Sequence, residues 1–126
     1  MRLKWALVSH AILIREFGGT DGVRDMHLLE SALFRPHATF DGIDPYPTPV
    51  EKAAAILESI VINHPFLDGN KRTGYSLMRS ILLQHDIDVD VAEEVKHEFV
   101  IEVSEGKHTI DSIKSWINKY LIQLSQ

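Results

Sequence analysis

The stretch His64-Pro65-Phe66-Leu67-Asp68-Gly69-Asn70-Lys71-Arg72-Thr73-Gly74 joins two apolar segments and gathers the groups in this chain best suited to handling an anion. Gly69 permits a backbone turn with its N–H groups directed inward. A helix starting just beyond it leaves its first N–H groups, about four of them, without intrahelical partners. Together with the positive end of the helix dipole, these favour a phosphate. Lys71 and Arg72 put two cations in that first turn, where the dipole opposes them unless an anion is present. Asp68 supplies a hard oxygen donor, suited to Mg²⁺ that bridges substrate phosphates. Histidine is the side chain that most readily accepts a proton near neutral pH, and His64 is the one beside this pocket. Phe66 is expected to turn inward and anchor the loop while His64 faces the cleft, with Asn70 fixing either the loop or the phosphates. Taken singly, each residue has an ordinary explanation: a helix-end histidine, a turn aspartate, a solvated arginine. Their joint occurrence points to chemistry.

These groups need rigid elements on both sides, and the periodicity supplies helices. Trp5, Val8, Ile12 and Phe17, flanked by Leu7, Ala11 and Ile14, outline an apolar face that stops at Gly18-Gly19. Asp25 is placed to cap a second helix carrying Leu28, Leu29, Ala32 and Leu33 and ending before Pro36. Thr48-Pro49-Val50-Glu51 reads as a capping box with proline at the first helical position. The helix it opens is apolar nearly all round from Ala53 to Val61, as a central buried helix must be. Pro65 should end it near Asn63. Another helix restarts near Asn70 with Leu77, Met78, Ile81 and Leu82 on one face. Asp90 is expected to cap a helix through Phe99 and Val103 to Gly106, and Thr109 to cap the last, with Ile113, Trp116, Ile117, Tyr120, Leu121 and Leu124. Six helices and no convincing strand predict an all-α fold in a single domain, 1–126. The proline- and glycine-rich segment 36–48 is longer than the usual ~4–6-residue connection and reads as a binding loop or small hairpin flap before the central helix.

Composition narrows the alternatives. Zero cysteines in 126 residues exclude a disulfide scaffold and a thiolate metal site, and suit a reducing, cytoplasmic setting. No apolar run approaches the ~18 residues needed to span a bilayer, and Ser9-His10 arrives too early for a signal peptide. A net charge of −5 argues against direct DNA binding, which needs a dense basic face. His10, His27, His37, His85, His97 and His108 are scattered without zinc-ligand spacing. Trp5 and Trp116 read as core or interface anchors, and acidic residues in 86–105 as a solvated face. The last helix has an apolar face broad enough to form part of a partner or dimer groove.

The same stretch resembles the core motif of the Fic/Doc family, His-x-Phe-x-(Asp/Glu)-(Gly/Ala)-Asn-(Gly/Lys)-Arg: His64, Phe66, Asp68, Gly69, Asn70, Lys71 and Arg72 fill every defined position. Phe17-Gly18-Gly19, Gly22-Val23-Arg24-Asp25, Leu28-Leu29-Glu30-Ser31-Ala32 and Tyr46-Pro47-Thr48 before Glu51-Lys52-Ala53-Ala54 are similar to the Doc, or death-on-curing, toxin branch. The likeness covers nearly the whole chain and is weakest after Asp90. AMP-transferring Fic proteins have glycine where this chain has Lys71, and a second arginine where it has Tyr75. Lysine there would crowd a phosphate cradle, and loss of the arginine removes a clamp on the terminal phosphates. Both departures resemble the Doc branch.

What the resemblance implies is a toxin of a type II toxin–antitoxin pair, moving phosphate from ATP to a Ser or Thr hydroxyl, with elongation factor Tu as acceptor and arrest of translation and growth as the outcome. It implies His64 as general base, Asp68 as the Mg²⁺ ligand, Arg72 as a catalytic cation, and Gly69, Asn70, Lys71 and Arg72 as the phosphate-binding set around the anchor Phe66. No glutamate follows Ser or Thr by four residues, so the built-in inhibitory helix motif of many Fic proteins is missing and a separate Phd-type antitoxin is expected. Two further readings stay open: a Fic-type AMP transferase, and a catalytically silent module that only recognises an anion.

Overall fold

The computed structural model describes residues 1–125. Six α-helices occur among them: α1 (Leu3–Phe17), α2 (Met26–Phe34, continued by a 3-10 turn Arg35–His37), α3 (Pro49–Asn63), α4 (Asn70–Leu83), α5 (Glu93–Ser104) and α6 (Ile110–Tyr120). The fold is all-α apart from two three-residue strands, β1 (Ile87–Val89) and β2 (Leu121–Gln123).

Local signals set most of the helix starts. The Asp25 carboxylate accepts the Leu28 N–H at 3.0 Å. Thr48 Oγ1 accepts the Glu51 N–H at 3.2 Å, and its hydroxyl donates to Glu51 Oε1 at 3.0 Å. The Glu51 carboxylate therefore bonds the cap's hydroxyl instead of reaching back to its N–H. Full reciprocity appears at α6, between Thr109 and Ser112. Central α3 is buried nearly all round, from Val50 through Val61. α4 lies close against it because Gly74 has no side chain: a Cβ there would meet Val61 Cγ2 at 2.9 Å. Phe99, Val100 and Val103 of α5 and Ile113 and Ile117 of α6 complete the same apolar core.

Three expectations need correction. The buried side of α1 is Ala6, Ser9 and His10, while Trp5 is 50% and Phe17 56% exposed, and Val8 and Ile12 are also exposed. A helix apolar on most sides offers periodicity no unique face, and the neighbouring loop makes the choice. Second, β1 and β2 pair antiparallel, Ile87 with Gln123 and Val89 with Leu121, so Leu121 leaves the last helix instead of extending it. Strands this short carry no alternation to read. Third, Asp90 does not cap α5: its N–H extends the ladder to Tyr120 O at 2.9 Å, and the cap residue is Ala92, which has no side-chain bond to offer.

Segment 36–48 contains the small hairpin. Phe40 and Ile43 exchange two backbone bonds of 2.9 Å around Asp41 (φ 52°) and Gly42 (φ 76°), the tight two-residue turn that requires positive φ at both central positions. Arg35 ties its base by donating to Tyr46 Oη at 2.9 Å, Glu58 Oε1 at 2.9 Å and Ser59 Oγ at 2.8 Å. Lys52 donates to Pro36 O and Asp44 Oδ2. The tip is left with Phe40 and Ile43 exposed.

Candidate active site

Helix α3 ends at His64, which takes the left-handed conformation (φ 51°, ψ 58°) ahead of Pro65. Such a conformation is uncommon outside glycine and persists where surrounding structure imposes it. Arg24 imposes it, donating from Nε to His64 O at 2.6 Å and from Nη2 to Asn63 O at 2.7 Å. Further bonds run from Arg24 N and Asp25 N to Pro65 O, at 2.7 and 3.0 Å, and from Leu67 N to Gly22 O at 3.0 Å. The loop after α3 is thus laced to 22–25.

The His64 ring is exposed, and its Nδ1 lies 2.9 Å from Ile62 O. A carbonyl oxygen only accepts, so Nδ1 carries the hydrogen, and in the neutral ring Nε2 is the nitrogen with the lone pair. That is the arrangement a general base requires.

Phe66 is buried, as its anchoring role demands. The Asn70 side chain spans its backbone: Oδ1 accepts the Phe66 N–H at 3.0 Å and Nδ2 donates to Phe66 O at 3.1 Å. Both polar atoms of buried Asn70 are committed to the loop, so of its two expected roles the loop-fixing one has a geometric basis. The other side of the Phe66 ring is covered by His10, whose imidazole stacks on it with centroids 3.9 Å apart. His10 Nε2 donates to Asp68 O at 2.8 Å, and its Nδ1 faces Asp21 Oδ1 at 3.4 Å.

Both oxygens of exposed Asp68 accept backbone N–H groups, Oδ1 from Gly69 at 2.8 Å and Oδ2 from Thr20 at 3.2 Å. These two bonds, Gly69's first, hold its carboxyl below the usual carboxylate range. Each oxygen retains a lone pair. An ionised, solvent-facing carboxylate fits Mg²⁺, which takes one or two such ligands and completes its shell with water and substrate phosphates. Among the described residues no cluster of three or more His, Asp or Glu forms a metal site by itself.

Gly69 (φ 73°) starts α4 without any side-chain cap, which leaves first-turn amides open to an outside acceptor. Its Cα is also crowded, since a Cβ would lie 3.1 Å from Ile14 Cδ1. Lys71 and Arg72 are exposed at this helix start, and the Arg72 guanidinium sits over the Phe17 ring, 4.5 Å from its centroid. The stretch from His64 to Arg72 therefore carries an exposed imidazole, an ionised carboxylate, an uncapped helix start and two exposed cations. The pattern that defines the Fic/DOC family matches residues 1–82, about two thirds of the chain. The chain belongs to the Fic/DOC family. A curated relative, Toxin Doc of Mycolicibacterium smegmatis, is 44% identical over 88 residues, covering 65% of this chain and 68% of the relative. These likenesses put the chain on the Doc branch of the Fic/DOC family.

Four contributors to this Fic/DOC site lie outside the motif. The sequence offers Arg24 a structural or antitoxin-facing role, and its bonds to two carbonyls are structural. Phe17 lies on the exposed side of α1, which periodicity does not distinguish. His10 looks like one of several scattered histidines in sequence, although a polar residue in a largely apolar helix is a usable signal. Thr20 acts through its backbone, which leaves no sequence signal.

Proposed function

We propose that this Fic/DOC chain is the toxin of a toxin–antitoxin pair and transfers a phosphoryl group from ATP to a Ser or Thr hydroxyl of a target protein. The observation that supports this reading is one loop that holds the exposed His64 ring by its Nδ1, keeps Asp68 ionised and opens α4 without a side-chain cap. When bound, Mg·ATP supplies the γ-phosphoryl group and neutralises part of its charge.

His64 Nε2 takes the proton of the acceptor hydroxyl as its oxygen bonds phosphorus and the bond to the ADP oxygen breaks. A positioned base of this kind contributes ~10²–10⁴-fold. Asp68 would hold the cation, while the amides of the α4 start and the Lys71 and Arg72 side chains stabilise charge on the transferring group. Preorganised donors usually supply the largest share of such a rate. The Phe40–Ile43 hairpin, anchored at its base and apolar at its tip, would align the target segment by adding backbone bonds to it.

Tyr75 supports phosphate transfer over AMP transfer. It is buried on α4 with its ring edge-on to Trp116 and the Lys96 ammonium 5.2 Å from its centroid, so it contributes no second clamp to the phosphates. Restraint in the cell is assigned to a separate Phd-type antitoxin, and elongation factor Tu is the acceptor to try first. A cytoplasmic setting goes with both; among the described residues no helix is long and apolar enough to cross a membrane.

The deciding experiment incubates the protein with Mg²⁺, elongation factor Tu or cell extract, and ATP labelled at either the α or the γ phosphorus. Label from γ on a protein band, abolished by His64→Ala, is expected. Label from α identifies an AMP transferase, and label from neither identifies an anion-recognising module.

A further inference from the structure

We infer that Phe17 is a positioning residue for Arg72, holding the guanidinium flat over its ring so that the in-plane N–H groups face the nucleotide phosphates. The inference rests on the phosphate-transfer reading above. Phe17 closes α1 and is more than half exposed, with Arg72 Cζ 4.5 Å from its ring centroid. Among the described residues the Arg72 side chain makes no hydrogen bond and no ion pair, and the Asp68 carboxylate attracts it only from a longer distance, so the ring is the close contact that orients it.

The chemistry of that contact matters. A neighbouring carboxylate would hold Arg72 by consuming its N–H donors. An aromatic ring engages the flat face through its quadrupole and leaves all five donors at the edge of the plane. A cation required to grip phosphate oxygens is therefore better held by a ring than by an acid.

The ring is itself fixed relative to the carboxylate. After Phe17 the chain turns through Gly18 (φ 85°) and Gly19 (φ 114°), and Thr20 N–H reaches Asp68 Oδ2 at 3.2 Å. A Cβ on Gly19 would lie 2.7 Å from that same oxygen. Residues 17–20 thereby set the cation from one end and the anion from the other, with glycine needed where the backbone passes the carboxylate.

The test is a double-mutant cycle on Mg·ATP affinity, measured by calorimetry alongside γ-phosphate transfer. Phe17→Leu keeps apolar bulk but removes the quadrupole. It should weaken Mg·ATP binding about 2- to 5-fold, the range of an exposed cation–π pair, with unchanged far-UV circular dichroism. Phe17→Tyr should restore the wild-type value, and in an Arg72→Ala background Phe17→Leu should have no further effect. Wild-type affinity in Phe17→Leu, the same loss in Phe17→Tyr, an equal loss without Arg72, or no Mg·ATP binding by the wild type overturns the inference. An intact cycle without phosphate transfer overturns the functional reading alone, and intact transfer without coupling overturns the role of Phe17 alone.

Discussion

The imidazole of His10 lies flat on the ring of Phe66, their planes 6° from parallel, while its Nε2 donates to the carbonyl of Asp68. One buried side chain on α1 thus fixes two residues of the loop between α3 and α4. His10 is 2% exposed, so both its stacking and its hydrogen bond are made out of contact with solvent.

His10→Ala removes the stacking partner of Phe66 and leaves the Asp68 carbonyl without its donor. The expected loss of stability is about 2–4 kcal/mol, combining a cavity with a broken part-buried hydrogen bond. His10→Phe should recover the packing share but not the carbonyl bond. Chemical denaturation of the three proteins checks the order wild type, Phe, Ala.

Left-handed backbone at His64 separates stability from activity. Alanine there keeps the unfavourable φ of 51° without the ring, whereas glycine adopts it freely. His64→Gly should therefore be more stable than His64→Ala by about 1 kcal/mol, with both inactive in phosphate transfer. Equal denaturation midpoints would remove the argument that Arg24 holds His64 against a backbone preference.

Acid sensitivity follows from the carboxylates. The two bonds donated by Arg79, at 3.0 and 2.7 Å, hold the Asp88 carboxyl below its usual range against the opposing effect of burial. Asp68 and Asp44 are shifted in the same direction by their own hydrogen bonds. Between the ordinary carboxyl value, ~3.9, and these lower ones, the unfolded chain binds more protons than the native one. Their contribution is thus complete above about pH 4 and is lost as pH falls through the native values. Melting temperature should be level from neutrality down to about pH 5 and drop below pH 4. Asp88→Asn should lower the neutral plateau and make the acid drop shallower.

Thr73 is fully buried on α4, and its hydroxyl has no hydrogen-bond partner among the described residues. A buried polar group left unpaired costs free energy that an isosteric apolar group does not. Thr73→Val should raise stability by about 1 kcal/mol, visible as an upward shift of the urea midpoint at constant slope. A decrease would mean that the hydroxyl is satisfied in solution.

The nine residues from His64 to Arg72 were legible as a unit because the imidazole, the carboxylate, the turn glycine and the helix start are neighbours in the chain. The caps at Asp25, Thr48 and Thr109 were legible for the same reason, since each bond closes within three residues. Central α3 could be recognised because burial on every side leaves its mark in composition. Long-range partners decided everything else. Asn70 serves the loop because the Phe66 backbone is turned toward it, and α1 buries His10 instead of Trp5 because Phe66 and Asp68, 58 residues further on in the latter case, wait on that side. Arg24 reaches two carbonyls at the end of α3, and β1 pairs with β2, a strand that follows α6. Hydrogen-bonding capacity and helical spacing are written locally, residue by residue. Which of several possible partners a side chain or backbone group meets is settled when the helices pack around α3 and exclude water from one arrangement.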